Sequence, residues 1–83
     1  MRGYNNIMTI RTRIAVTADE ARKTGKVPKR VYLTSDDATQ LQYELISEGG
    51  QLAHDVMQNG VCKAVSKIHG LTIVWRSQHF NVG

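Results

Sequence analysis

The chain predicts an α+β fold built on a small antiparallel or mixed sheet of about four strands. Three observations carry that expectation. Apolar and polar residues alternate over Lys29–Leu33 and Leu71–Arg76, the period of a half-buried strand. Between them, Ala38, Leu41 and Leu45 recur at helical spacing. The dipeptide His69-Gly70 separates two strand-like segments by the two residues of a tight hairpin loop.

Taken in order, Met8–Val16 reads as the first strand. Met8, Ile10, Ile14 and Val16 face one way, Thr9, Arg11 and Arg13 the other, and Thr12 is the one polar residue in the apolar set. Thr17-Ala18-Asp19-Glu20 then has the form of a capping box, opening a short helix or turn that stops at Gly25. Pro28 blocks further helix, and Lys29–Leu33 follows as a strand with Val31 and Leu33 inward and Arg30 and Tyr32 outward. Ser35 serves as N-cap of a helix running to Glu48, with Asp36 and Asp37 in its dipole-favoured first turn. Gly49-Gly50 ends it. A second helix, Gln51–Gln58, buries Leu52, Ala53, Val56 and Met57 and ends at Asn59-Gly60.

Val61–Ile68 and Leu71–Arg76 form the C-terminal hairpin. Its register pairs Ile68 with Leu71, Ser66 with Ile73, Ala64 with Trp75 and Cys62 with Ser77 on the core face. The outer face pairs Lys67 with Thr72, Val65 with Val74 and Lys63 with Arg76. The predicted order is β-(α)-β-α-α-β-β, with the helices packed on one face of the sheet.

The totals bound the function. Eighty-three residues make one domain. A chain of this length buries only about 60–65% of the surface it exposes when unfolded, leaving no room for a cleft between two lobes. Residues 8–83 are read as that domain, and residues 1–7 as a flexible tail or a translated leader ahead of Met8. The leader reading points to a bacterial or bacteriophage source. Cys62 is the sole cysteine, which excludes an internal disulfide and suits a reducing, cytoplasmic compartment. No apolar run is long enough to span a membrane.

Chemistry-bearing patterns are absent. His54, Asp55 and Cys62 hold the residue types of a thiol site, but Cys62 falls on the predicted core face and no third group is fixed. His54, Cys62, His69 and His79 match no short zinc spacing. No glycine cluster has the form of a phosphate-binding loop. The expectation is a non-enzyme with no cofactor and no metal.

The informative pattern is charge. The predicted strands hold Arg11, Arg13, Arg30, Lys63, Lys67 and Arg76 and no acidic residue, while every Asp and Glu falls on a predicted helix or helix end. With a net charge of +4, this suggests an open basic sheet face of Arg11, Arg13, Arg30, Tyr32, Lys63, Val65, Lys67, Val74 and Arg76. The expected function is a small binding or regulatory protein that docks an acidic protein surface. The apolar strip Val65–Val74, ringed by charge, favours a protein partner. A nucleic-acid backbone is one alternative, although Tyr32 is the only aromatic on the face and no nucleic-acid-binding motif is present. A self-assembling homo-oligomer subunit is the other.

Overall fold

The computed structural model describes residues 9–83. Met8 and the tail or leader assigned to residues 1–7 lie outside the described residues. The described chain is α+β, with four helices and an open four-stranded mixed sheet.

The first element corrects the sequence expectation. Ile10–Lys23 is a helix, α1, where Met8–Val16 was expected to be a strand. Thr9 has extended backbone and caps it, its hydroxyl accepting from the Thr12 N–H at 3.1 Å. Ile10, Ile14 and Ala18 then stack at four-residue spacing on one buried stripe. Thr17, expected to be an N-cap, is interior to α1, and its hydroxyl donates back to the Arg13 carbonyl at 2.7 Å. Arg11 and Arg13 therefore sit on a helix and not on a strand.

Arg30–Tyr32 forms β1 with Val31 fully buried, and Leu33 beyond it is buried too, as expected. The helix α2 spans Ser35–Glu48, capped by Thr34 and not by Ser35. The Thr34 hydroxyl accepts from the Asp37 N–H at 3.1 Å, and the Asp37 carboxylate accepts from the Thr34 N–H at 3.2 Å. Gly49, at φ +75, turns the chain sharply into α3, Gly50–Asn59. This helix buries Ala53 and Val56 but exposes Leu52 and Met57, which were expected inside.

The second correction concerns Val61–Ile68. Val61–Ala64 is a short helix, α4, because Val61, Ala64 and Val65 meet at helical spacing and Val61 and Val65 are buried. Only Lys67–Ile68 is strand, β2. Cys62 is exposed on α4 and not in the core. The long hairpin therefore shortens. Lys67–Thr72 and Ile68–Leu71 pair as expected, and the Ser66 carbonyl still accepts from the Ile73 N–H at 3.0 Å. The expected pairs Val65–Val74, Ala64–Trp75, Lys63–Arg76 and Cys62–Ser77 do not form, since residues 61–64 are helical and Val65 is their C-cap.

The loop at His69-Gly70 holds, with both residues left-handed at φ +50 and +79. Leu71–Val74 is β3, and Asn81–Val82 is β4, a strand not foreseen. The sheet order is β2-β3-β1-β4, with β1 parallel to β3 and antiparallel to β4. Ile10, Ile14, Leu41, Leu45, Val56 and Val61 from the helices join Val31, Leu33, Leu71 and Ile73 from the sheet in one core. Trp75, Phe80 and Val82 pack at its margin.

Candidate functional site

Strand alternation places Val31, Leu71 and Ile73 on the core side, so the residues between them share the opposite face. The register orders that face in two rows. Lys67, Thr72 and Arg30 lie abreast across β2, β3 and β1, and Val74, Tyr32 and Asn81 lie abreast across β3, β1 and β4. Lys67, Thr72 and Arg30 are exposed, while Val74 and Tyr32 are half-buried. Adjacent strands are about 4.8 Å apart, so Lys67 and Arg30 stand on either side of Thr72 in one row.

The ion pairs of the described residues all belong to the helical layer. Arg11 pairs with Glu44 at 3.4 Å and with Glu48, Arg13 with Asp37 at 3.6 Å, and Arg22 with Asp19 at 3.2 Å. The Arg11 guanidinium is held above its usual pKa, chiefly by the hydrogen bond to Glu48 and against the desolvation of its own partial burial. Arg13 also lies 4.0 Å from the centre of the Phe80 ring. Arg30, Lys67, Lys63 and Arg76 have no carboxylate at ion-pair distance among the described residues.

Of the residues assigned from sequence to one basic face, the structure brings together Arg30, Tyr32, Lys67 and Val74. Arg11 and Arg13 are removed to α1, where their charges are matched. Lys63 is on α4, Val65 is buried at its end, and Arg76 follows β3 in a left-handed conformation at φ +66. The apolar strip expected from Val65 and Val74 is replaced by the cross-strand pair Val74 and Tyr32.

A feature not foreseen adjoins this pair. A groove of about 450 Å³ is lined by Tyr32, Ser77, Gln78, His79, Asn81 and Gly83. It exists because residues 75–80 cross the end of β1, held by the Ser77 N–H donating to the Leu33 carbonyl at 2.9 Å, before β4 returns beside β1. The sequence signal was only a polar, amide-bearing run after the last legible strand. The groove offers an aromatic wall and hydrogen-bonding groups, and no cluster of three His, Cys, Asp or Glu forms a metal-binding set among the described residues.

No helix is long and apolar enough to cross a membrane among the described residues. Comparison with family models, curated proteins and solved structures gives no match.

Proposed function

We propose that this is a small non-enzymatic binding or regulatory protein of the cytoplasm that docks an acidic protein surface on its open sheet face. The observation that carries the reading is the distribution of charge pairing. The arginines at 11, 13 and 22 on α1 are matched by carboxylates, whereas Arg30 and Lys67 have no carboxylate at ion-pair distance among the described residues and stand beside an apolar Val74–Tyr32 centre. Apolar contact at the middle of a patch with cations at its border is the anatomy of a protein interface. A nucleic-acid strand is favoured less. Sheets that bind single strands stack successive bases on several aromatics, and Tyr32 is the sole aromatic in the two rows.

The test is fluorescence anisotropy of labelled polyglutamate, with single-stranded and duplex oligonucleotides in parallel arms. Arg30→Glu with Lys67→Glu is compared with Lys23→Glu with Lys26→Glu, a control of equal charge change. Long-range attraction weakens alike in both, so a specific face is expected to lose about tenfold or more in affinity only in the first. Tight oligonucleotide binding that falls steeply with salt would move the assignment to nucleic acid. Equal loss in both variants would remove the face.

A further inference from the structure

We infer that the loop between α1 and β1 attaches the protein to an anionic lipid surface, with Val27 entering the bilayer interface and lysines meeting the headgroups. The loop is Thr24-Gly25-Lys26-Val27-Pro28-Lys29. It is a separate site from the sheet face proposed above, so either can fail alone. Val27 is 79% exposed, the most exposed of the large apolar residues described. Lys23, Lys26 and Lys29 around it are exposed, and none has a carboxylate at ion-pair distance among the described residues. No Asp or Glu occurs from Ala21 to Ser35.

The exposure of Val27 is built into the backbone. Two bonds close the end of α1. The Gly25 N–H donates to the Arg22 carbonyl at 3.0 Å, and the Lys26 N–H donates to the Ala21 carbonyl at 3.1 Å. That pairing is the Schellman motif, in which the residue placed as Lys26 is here commonly packs an apolar side chain back against the helix. In this loop that residue is a lysine, and the valine comes one position later. On the far side, Pro28 locks its own φ, and the Lys29 carbonyl accepts from the Thr72 N–H of β3 at 2.9 Å. The apolar tip is held between two fixed points, so little ordering opposes its insertion.

An apolar tip among cations has the composition of an interfacial anchor, whose binding grows with buried apolar area and with attraction to anionic lipid. Such attachment needs no spanning helix. Lysine suits it, because the four-carbon stem lies along apolar surface while the ammonium stays at the level of the phosphates. A protein partner is favoured less at this loop. Protein interfaces are enriched in arginine and depleted in lysine. A protruding valine also requires a matching pocket in a protein, whereas a bilayer accepts a protrusion of any outline. Three lysines at about fivefold each, with one valine, make the attachment reversible and salt-sensitive.

The experiment is sedimentation of the full chain with vesicles of phosphatidylcholine alone and with vesicles containing about one-third phosphatidylserine. Lys29 adjoins Gly83 through a backbone bond at 3.4 Å, so the charge test falls on Lys23 and Lys26. Binding is expected to the anionic vesicles only. Val27→Ser should weaken it about fivefold, with polyglutamate affinity unchanged. Lys23→Gln with Lys26→Gln should weaken it about twentyfold. Arg30→Gln with Lys67→Gln removes equal charge away from the loop and should weaken it clearly less. Unchanged vesicle binding in Val27→Ser, or equal losses in the two charge pairs, means attraction by net charge alone and overturns the inference. Absence of binding to anionic vesicles overturns it too. In that case, a fall in polyglutamate or duplex oligonucleotide binding in Val27→Ser assigns the loop to an acidic protein or to nucleic acid, and a doubled mass by light scattering that Val27→Ser abolishes assigns it to a second copy. The sheet face is read separately, from Arg30 and Lys67 on polyglutamate.

Discussion

The Glu44 carboxylate of α2 accepts from the Ile10 N–H at 2.7 Å, so one helix caps the N-terminus of another. The same carboxylate takes weaker bonds from the Arg11 backbone and side chain at 3.4 Å and one from the Gln40 amide at 3.2 Å. Glu44 is the one buried charged residue of the described chain. It compensates both the exposed donors at the start of α1 and the positive end of that helix dipole. Glu44→Ala leaves those donors unpartnered and Arg11 with Glu48 alone, and should cost about 2–3 kcal/mol in urea denaturation. Glu44→Gln keeps an oxygen for the Ile10 N–H and should cost clearly less. Equal losses would show that charge alone, and not the cap, is what α1 needs.

The N-cap of α2 separates two adjacent hydroxyls. Thr34→Ala breaks the reciprocal bonds with Asp37 and should destabilise the fold by about 1 kcal/mol. Ser35 is the first residue within the helix and is exposed, so Ser35→Ala should change stability by no more than about 0.5 kcal/mol. The opposite ranking would restore Ser35 as the cap.

At the hairpin, His69 and Gly70 both occupy left-handed conformations. Gly70→Val forces a β-branched residue into that region and should cost about 1–3 kcal/mol. His69→Asn suits the same geometry and should be neutral within about 0.5 kcal/mol, or stabilising. Thermal denaturation of both variants checks the pair. Loss of stability in His69→Asn would mean that the imidazole, and not the turn, is what position 69 supplies.

Legibility followed the length and cleanness of each period. The α2 stripe and the loop at His69-Gly70 could be read because caps, glycines and spacing agree there. Residues 8–16 could not, because Ile10 and Ile14 satisfy both a two-residue and a four-residue repeat, and the β-branched residues around them favour strand. Thr9 and the distant Glu44 resolve the conflict, and only Thr9 is local. Val61–Val65 failed in the same way, since Val61 and Val65 fit either period and the helix is a single turn. β4 has two residues and no alternation to detect. The candidate face inherited these errors. Arg30, Tyr32, Lys67 and Val74 survive because their strands were correctly phased, and Arg11, Arg13, Lys63 and Val65 leave because theirs were not strands.

Arg13 and Arg30 should now dissociate. Both were assigned to one basic face, but Arg13 lies on α1 against Asp37 and the Phe80 ring, while Arg30, in a row with Thr72 and Lys67, has no ion-pair partner among the described residues. Arg13→Glu removes the ring contact, worth about 0.5–1 kcal/mol at a partly exposed site. It also brings a carboxylate towards Asp37, and the two effects together should lower stability by about 1–2 kcal/mol. Its effect on polyglutamate binding should be only the general weakening that any lost surface charge brings, and raised salt should erase it. Arg30→Glu breaks no ion pair among the described residues, and its cross-strand neighbour Thr72 carries no charge, so stability should stay within about 0.5 kcal/mol. Its binding loss should exceed that of Arg13→Glu by about fivefold or more and persist at moderate salt, because the interaction is a contact and not a field. Denaturation and anisotropy on the two variants give four values. The face assigned here requires the stability loss in one variant and the binding loss in the other. If both losses fall on Arg13→Glu, the binding surface lies over α1 and Phe80, and the open face of the sheet is solvated surface.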